Sequence, residues 1–168
     1  RTQMSTSYLD KEVPQAIKVL SSDGVVAVPP DTLYALGGDP HSKKAIERIY
    51  AVKGRSTNKA LPLLIANTDF LSKFAVNPPP FSIELTKHFW PGPLTLILNA
   101  SKFVPNQITS GSGKVALRVP NHFIAQRLAY ECNGAITGTS ANISGATNPL
   151  NADGVRNMLG DTIDYVID

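Results

Sequence analysis

KVALRVPNHFIAQRLAYECNGAITGTSA, residues 114–141, changes period twice in one run. KVALRVP (114–120) is short, apolar and β-branched, the pattern of a strand. NHFIAQRLAYEC (121–132) reads as a helix with Asn121 at its cap. GAITGTSA (134–141) reads as a second strand that runs into a polar loop. Strand, helix and strand joined this tightly predict a layered α/β chain.

The same alternation continues on both sides. Residues 10–22 predict a helix with Val13, Ile17 and Leu20 on one face. Asp23-Gly24 is a turn signal, and VVAVP (25–29) is a short buried strand. A helix is predicted over 42–53. Ser42 caps it, Ala45, Ile46, Ile49 and Tyr50 supply its apolar stripe, and Gly54 stands where it stops. LPLLIA (61–66) and LTLILNA (94–100) predict strands, and 81–89 a helix ending at Trp90-Pro91. Asn151 caps a helix to about Leu159, and TIDYVID (162–168) is a last strand. NPPP (77–80) is a rigid connection rather than a domain boundary, since too little chain flanks it for two cores. The expectation is one α/β (α+β) domain over 13–168, after an N-terminal tail and helix start at 1–12. Long and short connections are mixed, so the sheet should be mixed and twisted.

Composition bounds the function classes. Of 168 residues, 42% are apolar and 17% charged, which suits a globular chain with a sizeable core and excludes disorder. The net charge of +3 permits an anionic partner, but no long basic run demands nucleic acid. A single cysteine, Cys132, allows neither an internal disulfide nor a cysteine-based zinc site and fits a reducing compartment. No secretory signal is read, and no apolar run approaches the roughly 20 residues of a membrane span. The expectation is a soluble, cytoplasmic chain with no membrane partner. His41, His88 and His122 lack metal-ligand spacing, so no protein-held metal is expected. There is no GxxxxGK[ST], no GxGxxG and no Ser-His-Asp or Cys-His signature. Cys132 sits late in a helix among core-like residues and reads as packing.

Four segments put polar groups at strand ends, where open α/β sheets bind ligands. PPDTLYALG (29–37) brings Asp31, Thr32 and Tyr34, either as a capped turn or as a site. KGRSTNK (53–59) crowds Lys53, Arg55 and Lys59 together. They are either a solvated helix end that complements the helix dipole or a set of phosphate donors. ALRVP (116–120) places Arg118 on a largely apolar strand, where an unpaired charge is costly. Its partner is a structural carboxylate such as Asp31 or a ligand carboxylate. TGTSANISG (137–145) is either a Ser/Asn turn or a loop offering Ser140, Asn142 and backbone N–H groups to a phosphate or sugar.

Taken in order, VPPDTLYALG, IYAVKGRSTNKALPLLI, WPGPLTLIL, ALRVPNH and TSANISG resemble the YrdC family, the threonylcarbamoyl-AMP synthases. The family's Lys-x-Arg followed by a distant Ser-x-Asn is matched by Lys53, Arg55, Ser140 and Asn142. The resemblance implies a twisted sheet around a positively charged concave cavity. It implies an enzyme that joins L-threonine, bicarbonate and ATP, with Mg2+ accompanying the ATP, into threonylcarbamoyl-AMP and pyrophosphate. tRNA, or a tRNA-modifying transferase complex that carries the group to an adenosine, is the implied partner. By the same resemblance, Thr32, Arg118 and Ser140 hold threonine, with Arg118 on its carboxylate. Lys53, Arg55 and Lys59 hold the phosphates and stabilise their charge, and Ser140 and Asn142 complete the nucleotide site. No residue serves as nucleophile. The family usually has Thr at Pro30, often Gly at Ala35 and Pro at Ala60. Some members carry a threonine-contacting His at Leu64. Beyond the last strand, the family continues into a glycine-rich segment ending in Ser-Thr-Val-Val-Asp and an arginine, whereas this sequence ends at Asp168.

Two other readings compete. A carbamoyl-adenylate-forming domain of the hydrogenase-maturation type would share the fold and the ATP step but lack a threonine pocket. A non-catalytic RNA-binding module would use the basic residues alone, but the chain lacks interleaved aromatic and basic residues for base stacking.

Overall fold

The computed structural model describes residues 6–29, 31, 33–54 and 59–168, without the side chains of 6–10. The chain opens with α1 (Thr6–Ser21), whose Val13, Ala16 and Leu20 are buried. It then forms β1 (Val26–Val28), β2 (Ala35–Gly37) and α2 (Lys43–Lys53). β3 (Leu63–Ile65), α3 (Leu71–Phe74), α4 (Pro80–Phe89), β4 (Leu96–Asn99) and α5 (Asn106–Thr109) follow. The last part holds β5 (Lys114–Arg118), α6 (Phe123–Glu131), β6 (Ala135–Thr137), β7 (Thr139–Ser140), α7 (Ala152–Leu159) and β8 (Tyr165–Val166).

The strands divide into two four-stranded mixed sheets, ordered β7-β2-β1-β8 and β4-β5-β3-β6. In the first, β1 runs antiparallel to β2 and parallel to β8, and β2 runs antiparallel to β7. In the second, β3 is parallel to β5, with Leu64 opposite Arg118, and antiparallel to β6. The mixture of directions matches expectation, but the one expected sheet is two. The split falls at Gly138, inside the run read as one strand over 134–141. β6 ends at Thr137 in one sheet and β7 begins at Thr139 in the other. A Cβ on Gly138 would lie 2.6 Å from Leu64 Cγ, so only glycine lets the crossing chain pass this close to β3.

The core divides differently, along the two faces of the strands, so that each of its two clusters draws residues from both sheets. Leu36, Ile49, Leu63 and Leu117 are buried in one cluster. Val13, Leu20, Ile124, Leu128 and Ile136 form the other, where α1 and α6 cover the sheet together. Ser42 Oγ accepts from Ala45 N at 3.1 Å, Asn151 Oδ1 accepts from Gly154 N at 2.8 Å, and Gly54 ends α2 in the left-handed region at φ 60°. The cap of α6 is His122, not Asn121. His122 Nδ1 accepts from Ile124 N at 3.2 Å, while the Asn121 N–H is drawn away to Asp31. β2 lies in a stretch read only as a polar strand end, because three residues carry too little pattern to separate a strand from a turn.

Candidate active site

α2 delivers Lys53 in its last turn, 3% exposed, beneath the loop that follows β7. The Lys53 ammonium donates to Ser140 O at 2.8 Å, Ser140 Oγ at 3.1 Å and Asn142 Oδ1 at 2.5 Å. Ser140 Oγ donates in turn to Asn142 Oδ1 at 2.7 Å, and Asn142 Nδ2 donates to Ala146 O at 2.7 Å. The Ser144 N–H closes the arrangement on Lys53 O at 2.8 Å, which satisfies a carbonyl at the helix end. Three of the four residues of the Lys-x-Arg and Ser-x-Asn pattern therefore interlock. A buried ammonium is tolerated here because oxygens of Ser140 and Asn142 accept from it.

Arg118 ends β5. Its Nη1 donates to Asp31 Oδ1 at 2.7 Å, with both side chains 12% exposed. Asp31 Oδ2 accepts from Asn121 N at 3.1 Å, so the carboxylate ties the segment after β1 to the end of β5. Of the two partners open to Arg118, the structure contains the structural carboxylate. Burial lowers the His122 pKa from its ordinary value, opposed by the Asp31 charge. Cys132 is pushed up to about 12 by burial, which keeps it a thiol and agrees with a packing role.

The two groups are joined through the sheets. Ser140 on β7 lies opposite Ala35 on β2, and Ala141 N donates to Tyr34 O at 2.8 Å. Arg118 lies opposite Leu64, whose side chain packs against Gly138 just before β7. Thr137, fully buried, fastens the junction. Its hydroxyl donates to Leu36 O at 2.8 Å and accepts from Gly38 N at 2.9 Å. Nothing in the sequence marks Thr137, since a hydroxyl next to a glycine carries no local sign of bridging two sheets.

Lys59 is exposed, and its carbonyl accepts from the Tyr50 hydroxyl. Thr32 and Arg55 lie outside the described residues. A cavity of about 640 Å³ lies at α1 and α6, lined by residues including Val13, Ile17, Phe123 and Arg127 and by none of the predicted site residues. No helix among the described residues is long and apolar enough to cross a membrane.

The Sua5/YciO/YrdC family model, described as "Telomere recombination", matches residues 18–168. The chain belongs to the Sua5/YciO/YrdC family. It is 40% identical over 144 residues to a threonylcarbamoyl-AMP synthase of Pyrococcus abyssi, covering 86% of this chain and 42% of the relative. It is 35% identical over 167 residues to a threonylcarbamoyl-AMP synthase of Bacillus subtilis, covering 99% of this chain and 48% of the relative. The chain thus spans about half the length of these curated relatives. The crystal structure of P. abyssi Sua5 complexed with L-threonine superposes with a TM-score of 0.89 at 37% identity, over 93% of this chain and 46% of that one. Full-length HypF in its phosphate- and nucleotide-bound form matches with a TM-score of 0.79 at 17% identity, over 97% of this chain and 27% of its own, a likeness of fold alone.

Proposed function

We propose that this domain forms threonylcarbamoyl-AMP and pyrophosphate from L-threonine, bicarbonate and ATP. The observation that carries the reading is the interlock of Lys53, Ser140 and Asn142, residues from distant parts of the chain, at a sheet junction that β3 separates from the strand ending in Arg118. The relatives named as threonylcarbamoyl-AMP synthases and the threonine complex of P. abyssi Sua5 support it.

The reaction needs positioning and charge neutralisation rather than a protein nucleophile. Threonine's amine adds to bicarbonate with loss of water and gives a carbamate. A carbamate oxygen then attacks the α-phosphorus, and pyrophosphate leaves with the electron pair of the broken P–O bond. Arg118 holds the threonine carboxylate, with Thr32 and Ser140 offering hydroxyls. Arg55 and Lys59 neutralise the phosphates. Lys53 and Asn142 shape the loop that presents Ser140, and Lys53 adds positive charge beneath it. Magnesium enters with ATP as part of the substrate. Among the described residues, no group of three or more His, Cys, Asp or Glu side chains is placed to hold a metal.

The product is a mixed anhydride that hydrolyses in water, so a transferase must take it up. The proposed consumer is a tRNA-modifying complex, and the proposed compartment is the cytoplasm. Pyrophosphate release measured with each substrate omitted in turn tests the reading. Release that requires both threonine and bicarbonate, with threonylcarbamoyl-AMP found by mass spectrometry, is expected. Release supported by carbamoyl phosphate and indifferent to threonine would favour the hydrogenase-maturation type of chemistry instead.

A further inference from the structure

Arg118 uses only part of its guanidinium. Nη1 donates to Asp31 Oδ1 at 2.7 Å and reaches Gly92 O at 3.5 Å. Among the described residues, Nε and Nη2 meet no acceptor, and neither is a buried polar atom left without a partner. A guanidinium presents its donors as a flat fork, and a carboxylate is gripped best along an edge carrying two of them. The Nε–Nη2 edge is such an edge.

Asp31 is itself anchored. Its second oxygen accepts the Asn121 N–H at 3.1 Å, at the turn between β5 and α6. The carboxylate therefore cannot follow the arginine; the arginine must orient to it. An arginine side chain free at a strand end would lose rotamer freedom on gripping a ligand. Here that ordering is already done within the fold.

We propose that Asp31 is a positioning residue for amino-acid binding: it holds Arg118 by Nη1 and leaves the Nε–Nη2 edge facing the substrate carboxylate. This rests on the reading of Arg118 as the threonine-carboxylate ligand. It goes further in giving the neighbouring acid a role that helps binding rather than competing for the arginine. The opposite arrangement, in which Asp31 occupies Arg118 as an internal rival of the substrate, predicts the opposite sign on mutation.

The test measures threonine affinity by calorimetry and kcat/KM for threonine by pyrophosphate release, in the wild-type chain and in Asp31→Ala, Asp31→Asn, Arg118→Ala and the Asp31→Ala, Arg118→Ala double variant. ATP affinity reports on the integrity of the rest of the site. Asp31→Ala should weaken threonine binding at least tenfold and raise KM more than it lowers kcat, with ATP affinity retained. Asp31→Asn keeps an acceptor for Nη1 and should recover part of the loss. In the Arg118→Ala background, removing Asp31 should cost nothing further, because the arginine it positions is gone. Threonine binding that is unchanged or tighter in Asp31→Ala overturns the proposal, as does an equal loss in the Arg118→Ala background. A wild-type chain that binds ATP but not threonine overturns the substrate reading itself, and the proposal with it.

Discussion

Lys53 Nζ lies 2.5 Å from Asn142 Oδ1, across 89 positions of sequence. The contact joins the end of a helix to the loop beyond a strand in another part of the chain. It makes Lys53 as much an organiser of the Ser140 loop as a source of charge. Lys53→Met keeps most of the length and apolar stem but removes the hydrogen bonds donated to Ser140 and Asn142. Turnover should fall at least tenfold, and stability by roughly 2 kcal/mol, since buried acceptors lose their donor. Pyrophosphate release and chemical denaturation check the two parts separately.

Arg55 stands just beyond the helix end, where dipole complementation no longer explains a cation. Arg55→Ala should lower turnover at least tenfold, or about 1.4 kcal/mol of barrier. Wild-type pyrophosphate release by this variant would remove Arg55 from the proposed phosphate site.

His122 caps α6 through an unprotonated Nδ1, and its folded-state pKa lies below the ordinary 6.5. The unfolded chain therefore takes up a proton at higher pH than the folded one. The stabilisation is fully present above the unfolded pKa and is lost as pH falls from there toward the lower folded pKa. His122→Asn can cap without titrating. The melting-temperature advantage of wild type over this variant should shrink from about pH 7.5 to about pH 5.5. A constant difference across that range would show that the cap does not titrate.

Thr137→Val keeps the shape of the side chain and removes the hydroxyl that bridges Leu36 O and Gly38 N. Gly38 N loses its acceptor and Leu36 O loses the hydroxyl donor, at a cost of about 1–3 kcal/mol. A denaturation midpoint close to wild type would mean that another group satisfies them.

Gly138→Ala would put a methyl 2.6 Å from Leu64 Cγ. Overpacking of this kind costs about 1–3 kcal/mol. Leu64→Ala alone leaves a cavity, at about 2–5 kcal/mol. The double variant should cost clearly less than the sum, because the smaller side chain admits the new methyl. Strict additivity in denaturation would separate the two positions.

Much of the site is legible in the residues alone. Ser42, Gly54 and Asn151 mark helix ends by chemistry that acts within a few residues, and each does so here. The Lys-x-Arg and Ser-x-Asn stretches stand out because cations and hydroxyls crowd strand and helix ends. The cap of α6 is displaced by one residue from its expected place. Asn121 and His122 can both cap, and His122 does so through Nδ1, while the Asn121 backbone N–H donates to Asp31, ninety residues away. β2 has no signal of its own, because its hydrogen-bonding partners, β1 and β7, decide whether three residues are a strand.

By itself the sequence determined the alternation of helix and strand, most helix boundaries, the family and the residue types at the site. These rest on periodicity, capping and composition, which are local properties of a chain. Only the tertiary structure decided that one expected sheet is two, that Gly138 is where the chain crosses between them, that Arg118 pairs with Asp31, and that Lys53 lies beneath Ser140 and Asn142. Each of these depends on which distant groups share a buried space, where an unmatched charge or hydrogen-bonding group is costly and a single methyl can be excluded.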